Sequence, residues 1–221
     1  GFDYINCSGV LHHLENPGEG LAALNSVLKD DGAMAIMVYA KYGRTSVYQI
    51  QDLMRKINAD ERNMHIKVES CKSILAELPE TNLFAHTKRL FPGWTYKKPI
   101  ELYDLFLHSQ DRAYTIPELY DFVETEGLNI VHLLPAGDAR GNRLYDPSSY
   151  ISDNKILDRI KSYSLKDKQE IAELMHGLIS KHTFYAAREF RKTPSLDNLD
   201  NIPYLEIRFT NEIYTSFLSV I

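Results

Sequence analysis

Gly1-Phe-Asp-Tyr-Ile-Asn-Cys-Ser-Gly-Val-Leu-His-His-Leu14 is the stretch whose reading decides the fold. Tyr4 to Cys7 is a short strand-like run, and Ser8-Gly9 break it. Val10 to Leu14 then lead to Asn16-Pro17, a helix cap followed by proline at the first helical position. Glu19, three residues beyond Asn16, completes a capping-box arrangement.

Leu21, Leu24 and Leu28 follow at spacings of three and four, which predicts a helix up to Lys29-Asp-Asp-Gly32, where glycine is expected to take a left-handed turn. Ala33 to Ala40 is the next strand, nearly all apolar, as suits a strand near the centre of a sheet. Strand, helix and strand in this order imply a parallel, right-handed crossover.

Further along, good helix formers run over Ser46–Asn58 and from about Asp60 to Leu78. Phe84 to Lys98, with Pro92-Gly93, suggests a structured loop or lid. Thr115-Ile-Pro-Glu118 is a second capping box, with its helix ending at Gly127, and Leu128 to Leu134 reads as a strand. Asp153 to Lys181 reads as two helices, the second capped by Ser164, and His182 to Phe190 as an aromatic-rich strand. Thr193 to Asn201 looks like a linker, with a final strand and short helix over 202–221.

The charge is mildly acidic, 25 Lys+Arg against 30 Asp+Glu with no basic block, so no nucleic-acid surface is suggested. Every apolar run is shorter than the roughly 20 residues a spanning helix needs, and Gly1-Phe-Asp lacks the zones of a signal peptide. The expectation is a cytoplasmic protein without a membrane partner. Cys7 and Cys71 lie outside any ligand spacing, which argues against a disulfide framework and a metal site.

Three clusters carry candidate chemistry. The first, Cys7 to Leu14, sits at the carboxyl end of a parallel strand, where open α/β sheets bind ligands. Ser8-Gly9 either present backbone groups to a ligand or merely form a tight turn. His12 and His13 point about 100° apart in a helical turn, a poor metal pair, but either can act as a general base. One packed and one solvated histidine is the plainer reading. The second cluster is Tyr39 to Arg44 with Tyr48, Gln49 and Gln51 at the end of the next strand, where an arginine can orient a polar or anionic substrate; a helix entry that bends at Gly43, with Arg44 on the surface, is the alternative. The third is His108-Ser-Gln-Asp-Arg112, in which Asp111 can orient His108 or pair with Arg112; solvated charge around a cap is the alternative. His176 and His182 read as structural.

The pattern F-D-x-I-x-C-S-G-V-L-H-H-L-x-x-P resembles the fourth strand and following loop of class I S-adenosylmethionine-dependent methyltransferases. The L-K-D-D-G turn, apolar strand, Y-G-R loop and Y-T-x-P-E-L helix with E-G-L-N-I-V are similar to the family's fifth and sixth strands. I-A-E-L-M-H-G-L-I-S-K-H-T-F-Y resembles a helical insertion followed by the antiparallel seventh strand. The resemblance covers about residues 2–190. It implies an α/β fold, a partial Rossmann-like sheet with helices on both faces. Residues 1–192 form a truncated methyltransferase domain with an insertion at about 135–181, and 193–221 form a linker and carboxyl-terminal extension.

The same resemblance implies that Cys7, Ser8, Gly9 and Val10 bind S-adenosylmethionine. It places His12 and His13 near the transferred methyl, and Tyr39, Arg44, His108, Asp111 and Arg112 on the acceptor side. The sequence holds no G-x-G-x-G loop and no acidic residue at a second strand, so the chain reads as strands four to seven of a longer enzyme. Cofactor binding by this chain is then expected to be weak or absent, and turnover nil. The competing reading is a non-enzymatic α/β module. In either case an exposed strand at Phe2 to Cys7 predicts a homo-oligomer, with that strand pairing across an isologous two-fold interface.

Overall fold

A computed structural model of the chain describes residues 1–90, 98–134 and 144–189. The elements run β1 (Phe2–Ser8), α1 (Pro17–Val27), β2 (Leu28–Ala40), α2 (Thr45–Ile57), α3 (Met64–Glu77), α4 (Leu83–Thr87) and α5 (Pro99–Leu102). After them come β3 (Ala113–Tyr114), α6 (Ile116–Thr125), β4 (Asn129–Leu134), α7 (Asn154–Ile160), α8 (Leu165–His176) and β5 (Lys181–Ala187). Short 3-10 turns occupy Leu11–His13, Tyr42–Arg44 and Pro147–Ser149, and Tyr103–Leu107 is a π turn.

The sheet order is β1-β2-β5-β4. β1 and β2 are parallel, with Tyr4 opposite Ala33 and Ser8 opposite Met37. β5 runs antiparallel between β2 and β4, as the resemblance to a seventh strand implied. β3 adds two residues in parallel beside Tyr39 and Ala40, beyond the point where β1 stops pairing. The sheet is flanked by helices, and α/β architecture follows from the sequence as expected.

Local chemistry explains the helix starts. Asn16 accepts from the Glu19 amide at 3.3 Å and donates to the Glu19 carboxylate at 2.8 Å, while Thr115 and Glu118 bond reciprocally. Gly127 (φ 70°) and Gly177 (φ 69°) close α6 and α8 in the left-handed region, which side chains with a Cβ resist.

On β2 the alternating residues Met34, Ile36 and Val38 are at most 1% exposed and join Leu21 of α1, Ile116 and Leu119 of α6, and Phe184 of β5 in one core. Burial of side chains of this size contributes roughly 1.5–3 kcal/mol each. A second core lies among the helices, where Val47, Ile50 and Met54 of α2 meet Val68 of α3, Phe84 of α4 and Phe106 of the π turn. Aromatic edge-to-face contact between Phe84 and Phe106, 5.0 Å between centroids, fastens α4 to the π turn.

Several expectations are corrected. β2 begins at Leu28 rather than Ala33, because Phe2 of β1 already pairs with Leu28 and the register shifts between Phe2 and Tyr4. Gly32 therefore lies inside the strand with no left-handed turn; a Cβ there would sit 2.8 Å from Leu28 and 3.0 Å from the Phe2 carbonyl. Within the expected lid, Leu83–Thr87 is a helix capped by Asn82, while residues 91–97 lie outside the described residues. The last strand ends at Ala187, short of Phe190. The first part of the insertion, 135–143, and the linker and extension 193–221 also lie outside the described residues.

Candidate functional site

Side chains converge where β1 and β2 end. The 3-10 turn after β1 carries His12 inward, fully buried, and leaves His13 half-buried. The His12 ring stacks on Tyr39 at 3.7 Å between centroids, and on the other face of Tyr39 the Arg44 guanidinium carbon stands 3.5 Å from the ring centre. His13 lies 4.3 Å from His12 and 4.2 Å from His108, which extends the row of rings into the loop before β3.

Asp111 is the anionic centre. Its Oδ2 accepts from Arg44 Nη2 at 3.3 Å and from Gln51 Nε2 at 3.1 Å, with the Arg44 and Asp111 side chains 4% and 1% exposed. Gln51 also donates to the Leu105 carbonyl at 3.1 Å and accepts from Arg55 at 3.0 Å. Asp111 therefore pairs with Arg44, not with His108 or Arg112 as the sequence suggested. The exposed Arg112 side chain instead packs 5.0 Å from the Tyr114 ring centre, and its amide donates to the His12 carbonyl at 2.9 Å. Six of the expected residues, His12, His13, Tyr39, Arg44, His108 and Asp111, thus share one cluster. The Arg112 side chain stands apart from it.

Burial, with the charges of His13, Arg44 and His108 behind it, pushes the His12 imidazole down to about 3. Both of its nitrogens are buried without a hydrogen-bond partner among the described residues, so His12 is a neutral packing ring and a weak base. His13 is different. Its Nδ1 lies 3.3 Å from the Gln110 carbonyl, which can only accept, so the neutral ring carries its proton on Nδ1 and leaves Nε2 as the basic atom. In His108 the relation is reversed: Nδ1 accepts from the Gln110 amide at 3.2 Å, leaving the proton on Nε2. Burial raises Tyr39, against the pull of Arg44, and lifts Tyr48 to about 12, so both remain neutral phenols.

The loop Cys7–Val10 presents a different surface. Cys7 is buried, Ser8 is exposed and Val10 is 49% exposed. Gly9 holds φ 77° while its amide donates to the Met37 carbonyl at 3.1 Å, and a Cβ there would meet only the Met37 methyl at 3.4 Å. Among the described residues no group of three metal-type ligands is close enough to hold an ion.

Sequence reasoning missed one buried polar array. His182 of β5 joins Tyr145 at 2.9 Å through Nδ1, and through Nε2 the Tyr114 carbonyl at 3.0 Å and Glu173 at 3.2 Å. Glu173 also accepts from the Ile116 amide at 2.9 Å. No spacing in the sequence links positions 145, 173 and 182; only the return of β5 beside β2 brings them together.

No family model matches the sequence. An uncharacterized protein from Synechococcus sp. is 30% identical over 203 residues, covering 90% of this chain and 46% of that relative. PKMT2 from Rickettsia typhi, in complex with AdoHcy, superposes with a TM-score of 0.62 at 15% identity over 99% of this chain and 49% of that one. A second PKMT2 structure gives 0.57 at 13% identity, over 84% of this chain and 35% of that one. The chain spans about half the length, or less, of the relatives it matches. Likeness at this identity carries the fold alone, an α/β sheet flanked by helices.

Proposed function

We propose that this chain is the acceptor-side half of an S-adenosylmethionine-dependent methyltransferase and that it is inactive alone. The observation that supports this most directly is the convergence of His12, His13, Tyr39, Arg44, His108 and Asp111 at the carboxyl ends of β1 and β2, in a fold also found in PKMT2 with AdoHcy. Cys7, Ser8, Gly9 and Val10 fit one end of such a ligand, because Gly9 holds a left-handed φ that a Cβ resists, with only the Met37 methyl near where that Cβ would stand, and Ser8 is exposed beside it.

S-adenosylmethionine supplies an already activated methyl group, so the protein's task is orientation. The buried Arg44–Asp111 pair fixes the Tyr39 ring between guanidinium and His12. His13, with Nε2 as acceptor, takes the proton from an acceptor nucleophile, and His12 holds His13 in place. Cytoplasmic location belongs to this same reading.

Isothermal titration with S-adenosylmethionine and AdoHcy tests it in two arms. This chain is expected to bind weaker than about 10 µM, equivalent to roughly 7 kcal/mol. A longer chain carrying a glycine-rich loop is expected to bind tighter and to lose methyl transfer in His13→Ala. Turnover by the present chain alone, or no binding by the longer one, would overturn the proposal.

A second reading has its own support. β1 pairs with β2 alone among the described residues and exposes Phe2 by 61%, so a non-enzymatic module that self-associates through this edge is the alternative.

A further inference from the structure

Next to the ring cluster, on its helical side, lies a recess of about 260 Å³ between the end of α2, the start of α3 and the loop after the π turn. Met54 and Phe106 form its apolar floor, and its polar lining is Arg55, Asn58, Lys67, His108 and Ser109. Among the described residues no carboxylate lines it. We infer that this recess is an anion subsite that takes a carboxylate or phosphate group, and that it receives the anionic part of the methyl acceptor.

Four observations carry this. Asn58 is only 7% exposed, yet its side-chain Nδ2 has no hydrogen-bond partner among the described residues, a buried donor that calls for an acceptor. Lys67, half-buried in the first turn of α3, has no ion-pair partner there either, although Lys72 on the same helix is paired with Glu69. His108 keeps its proton on Nε2, because Nδ1 accepts from Gln110, and so lines the recess as a ring with a donor to give. Arg55 is anchored by Asp52 and by Gln51 Oε1 at 3.0 Å, which limits its freedom and ties the recess to the Gln51–Asp111–Arg44 network.

A set of donors without a single acceptor carboxylate selects for a group that only accepts. A carboxylate and a phosphate share that chemistry. His108 also belongs to the row of rings that starts at His12, so a ligand held here by its charge would reach toward His13 with its uncharged part. Assignment of the anion to the methyl acceptor rests on the methyl-transfer reading; anion binding itself does not.

The experiment is a nuclear magnetic resonance titration of the nitrogen-15-labelled chain with sodium phosphate and, separately, sodium acetate, at constant ionic strength and neutral pH. The expected result is saturable shifts at the Asn58 side-chain amide and the Ser109 backbone, with a dissociation constant near 1 mM, or about 4 kcal/mol. Lys67→Glu should weaken binding by at least about tenfold while Lys67→Arg retains it, as a charge-assisted contact requires. Asn58→Ala gives an independent second variant, and the backbone spectrum reports whether each variant is folded. Saturation with phosphate alone assigns a phosphorylated ligand, and with acetate alone a carboxylate. Linear, unsaturating shifts, or shifts that Lys67→Glu leaves unchanged in a folded chain, would overturn the subsite. Anion binding in a longer chain that fails to bind S-adenosylmethionine would leave the subsite standing and remove the methyl-transfer reading.

Discussion

Arg44 and Asp111, 67 positions apart, meet at 3.3 Å with both side chains withdrawn from water, and the contact joins the loop after β2 to the loop before β3. Arg44 ends the 3-10 turn Tyr42–Arg44, and Asp111 lies outside any helix or strand. The ion pair, Gln51 and the Tyr39 ring hold the two loops against each other.

Breaking that pair from one side is therefore expected to be severe. Asp111→Ala leaves a buried guanidinium unpaired, and stability should fall by about 3–5 kcal/mol in urea unfolding. The double variant Arg44→Met with Asp111→Leu removes both charges and should lose clearly less than the single. A single-variant loss below about 1 kcal/mol would show that Arg44 finds water or another partner.

His12 makes stability depend on pH. Its folded value is pushed down to about 3 while the unfolded imidazole titrates near 6.5, so between these values the unfolded chain binds the extra proton. Its contribution is fully present above about 6.5 and is lost as pH falls toward 3, by up to about 1.4 kcal/mol per pH unit. Urea unfolding of the wild type at pH 7, 5.5 and 4.5 should fall more steeply than that of His12→Phe. Parallel pH curves would mean that His12 is protonated in place or leaves the core.

Two glycines are expected to respond to alanine in different ways. At Gly43 the new Cβ would stand 2.3 Å from the Ile179 carbonyl oxygen, backbone that cannot swing aside, while the Gly43 amide donates to that oxygen at 2.9 Å. Overpacking of this kind costs about 1–3 kcal/mol or more and should disturb the neighbouring Arg44. At Gly127 nothing lies within 4 Å, so alanine meets only the left-handed backbone penalty of about 1–2 kcal/mol. Thermal unfolding of the pair, with the Arg44 side-chain resonance followed in each, separates the mechanisms; an unshifted Arg44 signal in Gly43→Ala would refute the link.

Self-association through β1 is tested by sedimentation. A homo-oligomer is expected at tens of micromolar, and Ile5→Lys should move it toward monomer or aggregate, since the strand's core-facing row would then carry a charge. A permanent interface of this type buries well above roughly 1,600 Å² in total. A wild-type chain that sediments as a monodisperse monomer would end the self-association reading.

Local signals in the sequence determined the early strand, helix and strand, because the Asn16 cap, the Thr115–Glu118 box and Gly127 act within a few residues of themselves. They determined as well that the chemistry-bearing residues fall at strand ends, since strand direction follows from the crossover. Where β2 starts was beyond them: pairing of Phe2 with Leu28 is a contact across 26 positions, and it converts an apparent turn at Gly32 into strand. Partner choice among charges was equally hidden. Asp111 sits beside Arg112 and near His108 in the chain, yet tertiary packing gives it to Arg44 and Gln51, because only those two reach it where water is excluded and an unpaired carboxylate is most costly. The unequal histidines have the same origin: His12 and His13 are alike as letters, and what makes His12 a weak, buried base is the packing that encloses it against Tyr39, while His13 stays half-buried with Nδ1 on the Gln110 carbonyl.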